Sequence, residues 1–439
     1  MQPPADRRRA VWKAQATAEK EDISMAEFRP FRAVRPRKDL ASRIAALPYD
    51  VYSRGEAAAI VKENPWSFLK IDRAEVQLAD EVDTYDPQVY RKAAETLEQM
   101  IKEGAFLQED TACLYLYELT MEGRTQTGIC GCTAVRDYET GVIRRHENTR
   151  KDKEEDRVRH VEACRAQTGP IFLACRDEDG ALAAIQESEK KAEPLYDFTA
   201  PDGVRHRVWR LADGEVIGRI CGIFAGTPSL YIADGHHRAA SAVRVAQKLR
   251  GQQAVAGKHT EETGEAQWVL SVVFPADQLK ILDYNRWVAD LNGKTAAGFL
   301  EALDEDFLVN AVSGKIRPER KGDFSMYLEG QWYRIRERNP HPSEDPVKAL
   351  DVSVLQDKIL DPLLGILDPK TDSRIRFVGG IRGLKELERM ADSQGGVAFA
   401  LYPTSIEELF SVADQGRLMP PKSTWFEPKL RSGLFIHRI

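Results

Sequence analysis

One short segment near the middle of the chain combines residue types that bind anions and transfer protons: residues 233–238 read Ala-Asp-Gly-His-His-Arg. The apolar stretch 230–232 before it predicts a buried strand, and the alanine-rich stretch 239–246 after it predicts a helix. A strand that turns directly into a helix points free backbone N–H groups at one spot, where the helix dipole adds positive charge. We therefore predict a phosphate site whose ligand-binding residues are Asp234, Gly235, His236, His237 and Arg238.

A simpler interpretation of this corner is a surface helix capped by Asp234, because aspartate is a good N-cap residue. Capping alone explains neither the His-His-Arg sequence nor the small alanines that allow the helix to pack closely. Histidines in a first helical turn can donate hydrogen bonds or move protons near neutral pH. His237 is therefore a catalytic candidate as well as a binding candidate.

A second polar cluster follows at residues 144–157, which contain six basic and five acidic side chains. Such a charge run usually forms a solvated surface, and that interpretation stays open. His146 and Glu147 within it are residue types that can act as an acid–base pair or make an outer-shell contact to magnesium. We therefore take both as catalytic candidates.

Two further segments contain candidate site residues. Asp50 follows Pro48 in an apolar stretch, and because proline disfavours helix at the residue before it, an ordered loop is expected there. Asp50 has no obvious capping or core role, so it is the first candidate for a catalytic base. Near the C-terminus, two prolines precede a segment suited to phosphate binding, whose candidate residues are Lys422, Ser423 and Thr424. The alternative is that neighbouring aromatic residues only dock the C-terminal tail.

The elements that must position these residues are a mixture of helices and strands without an internal repeat, which favours an α+β fold with mixed sheets. Predicted helices cover 54–62, 87–103, 154–167, 239–246, 346–360 and 384–391, with another after Ser405. Predicted strands cover 67–72, 112–120, 127–135, 170–175, 230–232, 268–275, 374–378 and 397–402, and hairpins cover 195–211 and 324–337. Three regions are expected: a mobile extension at 1–24, one half at 25–250 and a C-terminal α/β half at 265–439, joined by an exposed loop at 247–264.

Composition excludes several classes of protein. The 439 residues have a net charge of −6, which argues against a nucleic-acid partner. The sequence contains no run of about 18 apolar residues, so no membrane span is predicted. The six cysteines are scattered and no secretory signal precedes them, so we expect free thiols in a reducing cytoplasm. Cys130 and Cys132 lie in a predicted strand and are expected in the core rather than on a metal.

From Met25 onward the chain resembles domain-of-unknown-function family 1015. The matching pieces occur in family order at 29–33 (Arg-Pro-Phe-Arg-Ala), 47–51 (Leu-Pro-Tyr-Asp-Val), 146–149 (His-Glu-Asn-Thr), 231–238 and 419–424 (Met-Pro-Pro-Lys-Ser-Thr). The resemblance implies a distant relation to the ParB/sulfiredoxin superfamily, which includes free-serine kinases and the nucleotide-binding domain of partitioning proteins. It therefore implies a ParB/sulfiredoxin-like core in 25–250 that carries a large insertion at about 80–225.

The resemblance also implies a function. Nucleotide phosphates, of ATP or ADP with Mg²⁺, are expected at the 234–238 corner, and the acceptor is expected to be a small hydroxyl compound, with free serine tried first. Asp50 or Glu147 would activate the hydroxyl. The corner lacks the catalytic cysteine of sulfiredoxin, which argues against that chemistry. A homodimer stays a hypothesis for the assembly.

Two other functions stay open from the sequence. The first is a non-enzymatic nucleotide-binding regulator of ParB type, although no helix-turn-helix is evident and the net charge is negative. The second is a metal-dependent hydrolase that uses an acid with His146, His236 and His237, although no His-Glu-x-x-His spacing occurs.

Overall fold

The computed structural model describes residues 24–255, 264–340 and 343–439. The predicted mobile extension, apart from Ser24, lies outside the described residues, as does the 256–263 part of the predicted exposed loop. Short single turns cover Ala74–Gln77, Glu265–Gln267, Ala276–Gln278, Gln356–Leu360 and Gly380–Arg382. The described helices are α1 (Ala41–Ile44), α2 (Arg54–Glu63), α3 (Leu69–Asp72), α4 (Pro87–Lys102), α5 (Val135–Thr140), α6 (Lys151–Cys164), α7 (Ala181–Glu189), α8 (Gly214–Phe224), α9 (His236–Val255), α10 (Ala296–Asp306), α11 (Asp351–Leu355), α12 (Gly383–Gln394) and α13 (Ile406–Asp414).

The strands fall into two large sheets and several short pairs. Their bounds are β1 (Phe28–Arg29), β2 (Val34–Pro36), β3 (Phe106–Gln108), β4 (Leu114–Met121), β5 (Arg124–Ala134), β6 (Ile143–Arg144), β7 (Ala166–Gln167), β8 (Ile171–Cys175), β9 (Tyr196–Thr199), β10 (Arg205–Leu211), β11 (Leu230–Asp234), β12 (Trp268–Pro275), β13 (Ile281–Leu282), β14 (Tyr284–Val288), β15 (Phe307–Val312), β16 (Asp323–Leu328), β17 (Gln331–Glu337), β18 (Ile375–Gly379), β19 (Val397–Leu401), β20 (Trp425–Phe426) and β21 (His437–Arg438).

The first sheet is mixed and has nine strands within the described residues, in the order β6-β11-β8-β12-β5-β4-β10-β9, with β1 on β5. Its pairs are antiparallel except β11 with β6 and β12 with β8. The second sheet is antiparallel, in the order β15-β17-β16-β19-β14-β18. The fold is therefore α+β with mixed sheets, as predicted.

Both faces of the first sheet are buried. Successive side chains of a strand point to opposite faces, so they belong alternately to two hydrophobic cores. On β4, Tyr115 and Tyr117 belong to a hydrophobic cluster that continues into the second sheet, where it includes Phe399. Leu114 and Leu116 point the other way into a cluster with helices α8 and α9. One hydrophobic core therefore contains residues of both sheets.

The last residues of the chain pair with segments from its first half. Strand β21 pairs with β7, and an isolated bridge joins Ser432 to Ala46. Ala46 lies directly before the loop that contains Asp50. The bridge therefore brings the segment that contains Lys422 and the loop that contains Asp50 into one region of the molecule.

Most predicted elements are present, with ends displaced by a few residues. The strand predicted at 67–72 is wrong, because residues 69–72 form α3. Short apolar runs do not distinguish a strand from a buried helical turn. Here Phe68, Leu69 and Ile71 are all buried in one cluster.

Two other predictions need correction. The loop predicted from 247 is helical to Val255, because Gln247 and Arg250 on α9 bind Glu139 and their types favour helix.

The helix predicted at 346–360 starts only at Asp351, because Leu350 is extended with ψ of 139°. The division into halves at 250 and 265 stays a prediction, although strand β12, assigned to the second half, pairs within the first sheet.

No helix in the described part of the chain has the length and apolar character needed to cross a membrane.

Candidate functional site

A cleft of about 550 Å³ is lined from both sheets. Four segments that are distant in sequence form most of it: the loop 47–51, the corner 233–238, the turn 379–382 and the C-terminal segment 422–429. Among the candidate residues, those lining the cleft are Asp50, Glu147, Asp234, Gly235, His236, His237, Arg238, Lys422 and Thr424. The fold therefore brings together most of the residues that the sequence analysis selected.

The corner has the predicted strand–glycine–helix form. Strand β11 ends at Asp234, Gly235 has φ of +90°, and α9 begins at His236. This left-handed φ is accessible to glycine and strained for other residues. The helix N-terminus, with its free N–H groups, consequently opens on the cleft.

The charges of the corner are paired within the protein. The carboxylate of Asp234 accepts hydrogen bonds from Arg238 and Lys429, each at 2.8 Å. The other terminal nitrogen of Arg238 donates to the carbonyl of Pro170. Burial alone would raise the pKa of Asp234, but Lys429 and Arg238 hold it well below its usual range. Arg238 thus stabilises the corner, and direct phosphate binding by Arg238 stays a prediction.

We expect Gly235→Ala to lower the free energy of unfolding, measured by urea titration, by more than Gly203→Ala. Both glycines have a left-handed φ, +90° and +81°, for which an alanine costs about 1–2 kcal/mol. An added Cβ at Gly235 would also lie 3.0 Å from the guanidinium of Arg238, whereas at Gly203 it would meet nothing within 4 Å. Equal losses for the two variants would show that Arg238 is not held in place.

Lys422 extends into the cleft from a strained backbone. Its φ is +58°, and its carbonyl accepts a hydrogen bond of 3.0 Å from Arg286, which is buried and also donates to the carbonyl of Tyr284. The Nζ of Lys422 lies 5.8 Å from the centre of the Tyr284 ring, and no hydrogen bond or ion pair joins it to another described residue. Lys422 is therefore a cation that is available to a ligand.

Carboxylates surround this ammonium at longer range. Burial by itself would lower the pKa of Lys422, but Tyr284, Glu147, Asp50 and Asp234 outweigh it and the net shift is upward. Burial raises the pKa of Glu147, and Lys422 opposes that shift. The lysine is charged at neutral pH, and the Glu147 carboxyl titrates closer to neutrality than an exposed glutamate.

The backbone N–H of Arg150 donates a hydrogen bond of 3.0 Å to Nε2 of His237. A backbone N–H can only donate, so Nε2 is unprotonated and the proton of the neutral ring is on Nδ1. Burial also lowers the pKa of His237, against the charge of Asp50. His237 is therefore a neutral hydrogen-bond donor through Nδ1 in this arrangement.

His146 and Ser423 do not line the cleft. His146 is 2 % exposed, its ring lies edge-on against His236 with centroids 4.5 Å apart, and its Nε2 is 3.2 Å from the hydroxyl of Thr424. Burial lowers the pKa of His146 to about 4. The hydroxyl of Ser423 donates to the carbonyl of Pro420. Both residues lie behind the lining of the cleft, and the catalytic role of His146 and the binding role of Ser423 stay predictions.

Sequence reasoning missed Lys429 and the aromatic wall of the cleft. Tyr284 stands edge-on to Trp425, with centroids 5.1 Å apart, and to Phe377 at 6.1 Å. No local motif marks Tyr284, and the glycines after Phe377 are compatible with a tight turn as well as with close approach to a ligand. Lys429 lies 195 positions from its partner Asp234, so its role emerges only from the fold.

Within the described residues, no group of three or more His, Cys, Asp or Glu side chains is placed to hold a metal ion. The hydrolase hypothesis therefore lacks a ligand cluster in that part of the chain. Cys130 and Cys132 are buried in the core, as predicted.

Fold and cleft together define an α+β protein with a polar cleft lined by charged and aromatic residues. The chain belongs to the family described as "Protein of unknown function (DUF1015)", whose model matches residues 28–353. No curated protein matches the chain.

Three solved structures are similar to parts of the chain, and each covers 67 % of it. A free serine kinase in complex with AMP has 17 % identity and a TM-score of 0.33, with 88 % of that chain covered. A conserved hypothetical protein from Pyrococcus furiosus has 18 % identity, a TM-score of 0.32 and 90 % covered. SbnI with a C-terminal truncation, from Staphylococcus aureus, has 13 % identity, a TM-score of 0.33 and 81 % covered.

Proposed function

We propose that this protein is a nucleotide-dependent phosphotransferase that binds ATP or ADP with Mg²⁺ and transfers the terminal phosphoryl group to a small hydroxyl compound such as free serine. The observation that carries the proposal is the ammonium of Lys422. It is charged and without an ion-pair partner among the described residues, and it lines the same cleft as the N-terminus of α9 and the carboxylate of Asp50.

The phosphate end of the cleft has the donors that phosphoryl transfer requires. The N–H groups at the start of α9 and the ammonium of Lys422 supply positive charge, and Nδ1–H of His237 supplies a neutral donor. Catalysis of phosphoryl transfer depends mostly on fixed donors that stabilise the transferring group. Arg238 and Lys429 neutralise Asp234, so this carboxylate does not cancel the charge of Lys422.

The aromatic wall beside Lys422 suits a nucleobase. Tyr284, Phe377 and Trp425 present aromatic surface, and base–aromatic stacking contributes about 1–3 kcal/mol per base. The volume of about 550 Å³ lies within the range of roughly 300–1,000 Å³ typical of pockets for small organic ligands. A mononucleotide is therefore a suitable occupant by both size and chemistry.

Glu147 is the carboxylate of the cleft that would hold Mg²⁺. Magnesium in nucleotide sites is bound by one or two carboxylates together with phosphate oxygens and water. The Glu147 carboxylate is partly buried and no hydrogen bond joins it to another described residue, which suits a cation ligand. Bound magnesium would neutralise charge on the phosphates.

We expect millimolar ATP or ADP with Mg²⁺ to raise the melting temperature of the full chain. A ligand that binds only the native state stabilises it by about 2.7 kcal/mol at one hundred times its dissociation constant. Thermal unfolding followed by fluorescence measures the shift, and phosphorus NMR with a panel of hydroxy amino acids and sugars then tests for a phosphate ester. No shift with any nucleotide would contradict the proposal, and so would a shift without any ester.

A further inference from the structure

A second cavity of about 190 Å³ adjoins the cleft. Tyr49 and Asp50 line both spaces, so the proposed catalytic base stands where the two meet. The cavity is smaller than the roughly 300–1,000 Å³ usual for drug-sized ligands. A nucleotide does not fit it, whereas a compound of a few carbon atoms does.

Arg157 presents unused hydrogen-bond donors to this cavity. Its side chain is 9 % exposed, its Nε donates to Asp156 at 3.0 Å and its Cζ lies 4.0 Å from the centre of the Tyr49 ring. Nη1 donates to no other described residue. A guanidinium held by one carboxylate and stacked on a ring keeps a free edge that matches the geometry of a carboxylate.

Asp72 supplies the opposite charge. It is buried and lines the same cavity, and one of its oxygens accepts a hydrogen bond of 2.9 Å from Thr168. The second oxygen accepts none from the described residues. Both oxygens of Asp156, by contrast, are engaged, by Tyr90 and Arg157. Asp72 is therefore the carboxylate that is free to receive an ammonium group.

We propose that this cavity binds the acceptor as a small hydroxy amino acid, with its carboxylate on Arg157, its ammonium on Asp72 and its hydroxyl at Asp50; the acceptor role rests on the proposed function. In the transfer, the hydroxyl oxygen forms a bond to the terminal phosphorus of the nucleotide. The bond from that phosphorus to the bridging oxygen breaks, the shortened nucleotide leaves, and the hydroxyl proton passes to the carboxylate of Asp50.

Calorimetric titration of the full chain, with AMP present, tests the pocket without turnover, because AMP has no terminal phosphoryl group to transfer. L-serine and L-alanine both carry the two charged groups and are expected to bind within about tenfold of each other. Ethanolamine lacks the carboxylate and glycolate lacks the ammonium, so each is expected to bind about ten- to a hundredfold more weakly than L-serine. Equal binding of L-serine and ethanolamine, or no binding of either amino acid at millimolar concentration, overturns the assignment.

A matched pair of variants locates the site. Arg157→Gln is expected to weaken L-serine binding by about ten- to a hundredfold. Arg159→Gln removes an exposed arginine from the same helix and is expected to leave binding unchanged. Unfolding curves show whether each variant is folded. If Arg157→Gln does not fold, the ligand series on the unaltered protein decides alone.

The two proposals fail in different ways. L-serine binding with the expected selectivity, but without a phosphate ester, overturns the proposed transfer and supports the amino-acid pocket. Phosphorylation of ethanolamine as readily as of L-serine supports the phosphotransferase and overturns the pocket.

Discussion

Asp50→Asn is expected to lower the rate of phosphoryl transfer by about 10²–10⁴-fold while nucleotide binding is retained. A serine-type hydroxyl is a weak nucleophile until a base takes its proton, and asparagine cannot take it. Asp50 is exposed at the border between the cleft and the second cavity, so its carboxylate can face both nucleotide and acceptor. Initial rates measured by phosphorus NMR and the nucleotide-induced thermal shift separate catalysis from binding.

Two further variants help to interpret the rate measured for Asp50→Asn. Asp110→Asn removes an exposed carboxylate outside the cleft and is expected to leave the rate unchanged. Glu147→Gln tests the other acid. An unchanged rate in Asp50→Asn, together with a large loss in Glu147→Gln, would transfer the role of base to Glu147, whose pKa is raised by burial.

The corner 233–238 could be predicted from sequence because all of its determinants are local. An apolar strand, a glycine and an alanine-rich helix follow one another directly, and each has its own sequence signal. Gly235 has the left-handed φ that such a tight change of direction needs. The segment is a strand–helix corner in the structure for the same reasons.

The surroundings of the corner could not be predicted in the same way. Lys422 and Lys429 belong to the C-terminal segment. This segment returns to the first part of the chain, where Ser432 forms a bridge with Ala46 across almost the whole chain. Their different roles depend on which ammonium reaches Asp234, and sequence spacing contains no such information. Lys429 is the ammonium that binds it.

The charge run 144–157 is a second region whose surroundings could not be predicted from the sequence. Composition predicts a solvated surface, yet His146 and Arg157 are buried. A buried charge requires a partner or a ligand, and Arg157 pairs with its neighbour Asp156. Contacts from other segments complete the surroundings: Tyr49 stacks on Arg157, and Thr424 contacts the neutral ring of His146. Only the fold shows that this segment lines two cavities.

Lys422→Met is expected to lower the transfer rate by about 10²–10³-fold, the loss usual when one fixed donor to a developing charge is removed. Methionine retains most of the length of the side chain and loses the charge, so the affinity for nucleotide also falls, by about ten- to a hundredfold. Lys191→Met removes an exposed lysine that does not line the cleft and serves as the control. A rate in Lys422→Met close to that of the control would remove the observation on which the phosphotransferase proposal depends.

Arg286 is expected to affect transfer through Lys422. It donates a hydrogen bond to the carbonyl of Lys422, whose backbone has a strained φ of +58°. Burial lowers the pKa of Arg286 to about 10, and its hydrogen bonds go to backbone carbonyls. If Arg286 acts through Lys422, Arg286→Lys should slow transfer in the unaltered protein and cause little further loss in the Lys422→Met background, since contacting residues are energetically coupled. Additive losses in this double-mutant cycle would instead show that Arg286 affects transfer independently of Lys422.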